Sequence, residues 1–312
     1  MNARYTLGLI MFGTSLAHAG TLSFTTIAYP GSAHTDAFGI NRIGQVVGFY
    51  IEGNNGHGFL YESGTYTTID VPGATGGTNA RGINNNGDIV GSYVSGGSAH
   101  GFLDQAGGFT TIDVPGAVSK NAFGINDLGQ IVGAYTDSSG VVHGFLKSGA
   151  TFQTIDGPAG SSYDETFGIN NNGQIVGLYF LGGYHAFLYN AGALTTIDYP
   201  GASYSEAFGI NQAGEIAGAY GDTLGTHGFV LSGGIFTAVD DPSATGVTVA
   251  FGLNDSGQIV GVYDAQGAEF GFVATSAPEP ATAVILPTGL LGLAAIYPLK
   301  RRAVHRSITK LK

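Results

Sequence analysis

Residues 123–156 read FGINDLGQIVGAYTDSSGVVHGFLKSGATFQTID, and four short apolar runs divide them: FGIN, QIVG, HGFL and TFQTID. Gly, Asn and polar turn residues bound each run, the pattern of strands joined by tight turns. Asn126 stands three residues before Gly129, and Gly supplies the positive φ that a tight hairpin needs. His143 lies 13 residues before Asp156, with Gly149-Ala150 at the midpoint. A two-residue turn there sets His143 opposite Asp156 on neighbouring strands.

Working outward, the same stretch returns along the chain. The Asn of its GIN or GLN element falls at Asn41, Asn84, Asn126, Asn170, Asn211 and Asn254, at spacings of 43, 42, 44, 41 and 43 residues. The offset of 13 holds for His57 and Asp70, His100 and Asp113, His185 and Asp198, and His227 and Asp240. Their midpoints are Ser63-Gly64, Ala106-Gly107, Ala191-Gly192 and Gly233-Gly234. Four strands per unit, in six units, predict an all-β fold: a six-bladed β-propeller of four-stranded blades. The glycine-flanked GIN strand is expected innermost, where space near the axis is tight. The PGA segment after TTID is expected to cross to the next blade. An open solenoid is the competing fold; it needs capping repeats, and the sequence has no cap.

The ends of the repeat region set its phase. The sixth unit stops at Phe270-Gly271-Phe272-Val273 without a TTID strand, while Phe24-Thr25-Thr26-Ile27 is a spare copy near the N-terminus. Closing the ring with that copy completes the sixth blade and hides an edge open to aggregation. Phe270 stands where the sixth His belongs and Ala28 where the sixth Asp belongs. Both partners are missing at the one discontinuous hairpin, which predicts that His and Asp are structural hydrogen-bond pairs. Losing only one would leave the other polar group short of a partner.

Composition agrees. Gly accounts for 54 of 312 residues and charged residues for 11%, while 43% are hydrophobic. A charged disordered chain is thereby excluded, and a helical protein is disfavoured because Gly weakens helices. There are no Cys, so disulfides, thiolate nucleophiles and Cys–zinc sites are excluded. Between Gly20 and Ala277 only Arg42, Arg81, Lys120 and Lys147 oppose 21 acidic residues, for a formal charge near −17. Such a body repels nucleic acid and anionic membrane surfaces.

Two terminal segments read as addresses. Residues 1–19 have the form of a signal peptide: Arg4, an apolar run from Tyr5 to Leu16, then Ala17-His18-Ala19 with cleavage before Gly20. Residues 278–312 hold Pro278-Glu279-Pro280, an uncharged stretch at 281–299, and the basic group Lys300, Arg301 and Arg302. Nineteen residues at 1.5 Å each span about 28 Å, close to the hydrocarbon thickness of a bilayer. A transmembrane helix is expected there, with the basic group cytoplasmic.

This tripartite tail resembles the PEP-CTERM sorting signal of Gram-negative bacteria. The resemblance implies export, transient inner-membrane retention, and processing near Pro278-Glu279-Pro280 by an exosortase. A plain C-terminal anchor is the alternative. The repeats, with FGIN-x-x-GQIVG followed by HGFL, resemble the HAF-type extracellular repeat over nearly all of residues 21–276. That family implies location and repeat architecture and no activity.

The polar residues raise the question of chemistry. Catalytic groups usually break the symmetry of a repeat, whereas the His and Asp pairs follow it. One pair per blade also falls short of the four ligands of a structural zinc site. The acidic pairs Asp164-Glu165 and Asp240-Asp241 break the symmetry and are the candidates for a cation or substrate; solvated loop charge is the competing reading. Calcium is the one cofactor in view, and Asn84-Asn85-Asn86-Gly87-Asp88 lacks the EF-hand spacing. No nucleophile elbow or phosphate loop is present. The leading expectation is a non-enzymatic, exported cell-surface or matrix protein that displays a propeller face to extracellular polysaccharide or a surface protein. The alternatives are a glycan-acting hydrolase or lyase and a structural spacer without ligand.

Overall fold

A computed structural model describes residues 22–276. The expected signal segment 1–19 with Gly20, and the expected sorting segment 278–312, lie outside the described residues. The described residues form 24 strands. β1 (Leu22–Ile27) comes first. Blade one holds β2 (Thr35–Ile40), β3 (Val46–Glu52), β4 (Asn55–Glu62) and β5 (Thr65–Ile69). Blade two holds β6 (Thr78–Ile83), β7 (Ile89–Ser95), β8 (Ser98–Gln105) and β9 (Gly108–Ile112). Blade three holds β10 (Ser119–Ile125), β11 (Ile131–Thr136), β12 (Val142–Ser148) and β13 (Thr151–Ile155). Blade four holds β14 (Asp164–Ile169), β15 (Ile175–Phe180), β16 (Tyr184–Asn190) and β17 (Ala193–Thr196). Blade five holds β18 (Tyr204–Ile210), β19 (Ile216–Gly221), β20 (Thr226–Ser232) and β21 (Ile235–Val239). Blade six holds β22 (Thr248–Leu253), β23 (Ile259–Ala265) and β24 (Ala268–Ser276).

Each blade is an antiparallel meander, and β1 completes the sixth in the order β22-β23-β24-β1. Its register runs from Leu22 opposite Ser276 to Ile27 opposite Gly271. The six-bladed propeller and its closure by the N-terminal strand are therefore as expected.

The local chemistry explains the strands. Asn126 and Gly129 close the first hairpin of blade three: Gly129 N–H donates to the Asn126 carbonyl at 3.1 Å, with Gly129 at φ +73°. The third and fourth strands turn through two residues, as where Glu62 pairs with Thr65 around Ser63-Gly64. The core lies between blades. Phe59, Phe102, Phe145, Phe187, Phe229 and Phe272, one from each HGFL or HAFL run or its counterpart, are at most 1% exposed. Truncating one such Phe to Ala costs about 3–5 kcal/mol. The glycine ending each QIVG run makes room for that ring: a Cβ at Gly133 stands 2.8 Å from Phe145 Cε1.

One irregularity positions everything functional. Every innermost strand has a β-bulge, between Ala37 and Gly39 in blade one and at the equivalent step in the other five. The bulged residues are Phe38, Arg81, Phe123, Phe167, Phe208 and Phe251. A bulge re-aims its side chain, and these six line the axial channel.

Candidate functional site

Strands alternate in direction, so the propeller has two distinct faces. The front face gathers the starts of the first and third strands of each blade, and the ends of the second and fourth. The back face carries the Asn-x-x-Gly turns.

The axial ring is aromatic at five stations. Phe123–Phe167, Phe167–Phe208, Phe208–Phe251 and Phe251–Phe38 have centroids 5.0 to 5.1 Å apart. Arg81 fills the gap, its guanidinium 4.0 Å from the Phe38 centroid and 5.6 Å from that of Phe123. Both rings are placed for cation–π attraction. Burial pulls the Arg81 guanidinium down from its ordinary range, against the charges of Asp36 and Glu165. Its Nε is buried without a hydrogen-bond partner.

Forward of this ring, Asp36, Asn79, Asn121, Glu165, Glu206 and Val249 occupy one repeat position, two residues before each bulged residue. Three carboxylates, two amides and a valine at equivalent places make the mouth asymmetric. A recess of about 320 Å³ opens there, between Arg81, Tyr163, Glu165, Tyr184 and Glu206. The Tyr163 hydroxyl donates to Glu165 Oε1 at 2.9 Å, and the Tyr184 ring stands edge-on to Tyr163, 6.3 Å away. Burial raises the Glu165 carboxyl, while the Tyr163 hydrogen bond and Arg81 oppose the rise. Glu206 is pushed up to about 7 by burial and by the charge of Glu165. A second hollow of about 370 Å³ lies between Phe49, Asn54, Asn79, Tyr93 and Asn121.

The five His and Asp pairs also lie on the front face, further from the axis. The Nδ1-to-carboxylate distances are 2.9 Å for His57 and Asp70, 3.1 Å for His100 and Asp113, and 2.9 Å for His143 and Asp156. They are 2.7 Å for His185 and Asp198 and 3.1 Å for His227 and Asp240. Each ring also stacks on a tyrosine of the second strand, as His57 does on Tyr50 at 5.2 Å. In blade six Phe270 packs beside Tyr263 instead, at 5.7 Å. The pairs stand one per blade and are not brought together at a common centre.

The acidic pairs divide differently from the loop-charge reading. Asp164 and Glu165 lie within strand β14, not in a loop. Asp164 is 3% exposed; its Oδ2 accepts from the Ser161 hydroxyl at 2.9 Å, while its Oδ1 is buried without a hydrogen-bond partner. Asp241 is 6% exposed and accepts from Ser243 N–H at 2.8 Å. Asp240 is spent on His227. Of the four, only Glu165 faces the recess. The Asn84–Asp88 stretch is likewise spent on its own hairpin, with Asn84 Nδ2 donating to Asp88 Oδ2 at 3.0 Å.

Sequence reasoning missed Arg81, Glu206 and the cluster of His34, Asp36 and Glu269. The signal for Arg81 was visible: it is the one residue of its repeat position that is not Phe. Glu206 carried no such mark, because polar residues also fill four of the five equivalent positions.

No protein-family model matches the chain, and no curated protein matches it. Solved structures do resemble it in fold. A mutant of AofleA from Arthrobotrys oligospora is 14% identical, with 81% of this chain and 86% of that one covered and a TM-score of 0.51. TolB from Acinetobacter baumannii is 10% identical, with 73% and 63% covered and a TM-score of 0.52. Virginiamycin B lyase from Staphylococcus aureus is 12% identical, with 82% and 99% covered and a TM-score of 0.46. At these identities the likeness concerns the propeller fold alone.

Proposed function

We propose that this is an exported cell-surface or matrix propeller that binds extracellular glycan at the recess in its front face. One observation carries the reading. The repeat breaks its symmetry at the channel mouth, where half-buried Arg81 shares a recess with Glu165, Glu206, Tyr163 and Tyr184. A concave site with aromatic walls and a few convergent polar groups is the usual form of a small-ligand site. Tyr184 lines it, and its ring stands 5.1 Å from that of Phe180. Sugar rings stack on such faces while hydroxyls pair with carboxylates and a guanidinium. The export and sorting segments, with exosortase as their partner, fit a protein displayed outside a Gram-negative cell.

The test is binding to the host's own extracellular polysaccharide, with product release followed in the same samples. Saturable binding that weakens by roughly tenfold or more in R81A, the loss of one buried charged contact, supports the reading. Absence of binding by the wild-type protein leaves the structural-spacer reading in its place.

A second reading, a glycan hydrolase or lyase, is favoured by Glu206. A carboxyl pushed up to about 7 is poised to donate or accept a proton near neutral pH. Release of shortened glycan by the wild type, abolished in E206Q, would put the enzyme first.

A further inference from the structure

We propose that His34, Asp36 and Glu269 form a site for one divalent ion of the zinc class at the seam between blades six and one. His34 and Asp36 lie at the start of blade one's innermost strand, and Glu269 on the third strand of blade six. Among the described residues these are the one set of three potential ligands whose donor atoms lie within 4.8 Å of one another. The repeat does not account for them. The equivalent positions at the next seam are Gly77, Asn79 and Gly56, and at the preceding seam Val247, Val249 and Thr226.

Charge and burial argue for an ion. His34 Nε2 stands 3.3 Å from Asp36 Oδ2, and its Nδ1 3.3 Å from Glu269 Oε2. One imidazole thus serves two carboxylates. Asp36 is only 8% exposed, and its Oδ1 is buried without a hydrogen-bond partner. Of the neighbouring charges, Arg81 opposes that of Asp36 while Asp264 adds to that of Glu269. A divalent ion neutralises both carboxylates at once.

The donor set selects the ion. One imidazole nitrogen with two carboxylate oxygens suits zinc, whereas calcium and magnesium seek six or more oxygens. Three protein ligands leave a fourth position for water. Ligands about 2.0–2.1 Å from a tetrahedral zinc stand about 3.3 Å apart, which is the separation of His34 Nε2 and Asp36 Oδ2; Glu269, which faces the other ring nitrogen at 3.3 Å, has to swing round the ring to join them. The backbone at His34 is held in place: its N–H donates to Ser32 Oγ at 3.1 Å, and its carbonyl accepts from the Ser32 hydroxyl at 2.7 Å. The side chains of His34 and Glu269 are each 32% exposed, which leaves an approach from solvent.

The experiment uses the full chain, stripped with chelator and titrated with zinc chloride by calorimetry, with metal content measured after dialysis. One equivalent is expected, with Kd weakened by roughly tenfold or more in H34A and in E269Q and unchanged in H100A, which breaks an ordinary pair. Zinc should raise the melting temperature of the wild type and leave that of H34A unmoved. Failure of the wild type to retain zinc overturns the proposal. So does a Kd that H34A and E269Q leave unchanged, or that H100A weakens equally. Cobalt substitution of the wild type gives a reading independent of how well the variants fold. Intense visible bands of a four-coordinate ion are expected, and their absence overturns the site. Glycan binding is scored separately, so loss of one reading leaves the other standing.

Discussion

Asn254 Nδ2 donates to the main-chain oxygen of Asn41 at 2.9 Å, across 213 residues of chain. The bond closes a ring. Asn41 reaches the Asn84 carbonyl, Asn84 that of Asn126, Asn126 that of Asn170, Asn170 that of Asn211, and Asn211 that of Asn254, at 3.0 to 3.4 Å. Six side chains thus join six blades around the back mouth of the channel, and each also holds its own turn.

Asn126 shows what the ring is worth. Its amide donates to Gln130 Oε1 and Asn170 O, and its Oδ1 accepts from Leu128 N–H and Gln130 N–H. N126A removes four bonds and strands buried groups, so it should cost about 2–4 kcal/mol in urea unfolding. L128A, at a side chain 68% exposed, should stay within about 0.5 kcal/mol of wild type. Equal effects of the two would mean that the ring contributes nothing.

Deleting residues 22–28 should destabilise the propeller by several kcal/mol or make it aggregate, because β24 becomes an open edge. Ile27 alone is 1% exposed, and I27A should cost about 2–4 kcal/mol. Thermal unfolding checks both. An unaltered melting temperature in the deletion would show that β1 does not close the ring.

The pH dependence follows from Glu206, raised from 4.5 to about 7 chiefly by burial and further by Glu165. A raised carboxyl holds its proton in the native state where the unfolded chain has released it. Its contribution is full below the unfolded value and lost as pH rises through the folded one. Unfolding free energy should therefore fall from about pH 5 to about pH 8. E206Q should remove part of that fall in urea midpoints taken across the range, because Glu269 is raised to about 7 as well; a slope equal to that of wild type assigns it elsewhere.

The innermost strands approach too closely for any side chain at the GIN glycine. A Cβ at Gly209 would stand 2.8 Å from the Phe251 carbonyl and 2.9 Å from Gly252 Cα. Both obstacles are backbone of the next blade and cannot swing aside. G209A should cost about 1–3 kcal/mol, read as a lower melting temperature.

For the His and Asp pairs the expected coupling is small. Asp113 is 49% exposed beside His100, and Lys120 stands 3.6 Å away as a second partner. A double-mutant cycle of H100F and D113A should give a coupling below about 1 kcal/mol. Blade six, with Phe270 and Ala28, already lives without the pair. A coupling several times larger would make the pairs a principal source of blade stability.

Much of the fold was legible before any coordinates. Asn126 and Gly129 mark a turn, the spare Phe24–Ile27 run marks the closure, and the offset from His143 to Asp156 marks a register. These are local or periodic signals, and repetition multiplies each of them sixfold. The ring from Asn41 to Asn254 was half legible: its turn-holding role follows from the Asn-x-x-Gly spacing, but its reach into the next blade does not. Asp164 and Asp241 misled because adjacent acidic residues read as loop charge, whereas here a strand and a buried turn bind them.

The sequence by itself determined the number of blades, the strands within each, and the strand that completes the sixth. All of these rest on periodicity and on turn chemistry spanning a few residues. Only the tertiary structure decided which of the symmetry-breaking residues meet. The bulge that turns Arg81 into a ring of five phenylalanines, and the seam that brings His34 and Asp36 against Glu269, join residues far apart in the chain. The spacing of such residues carries no trace of their meeting. It arises because closing the ring places the first blade against the last.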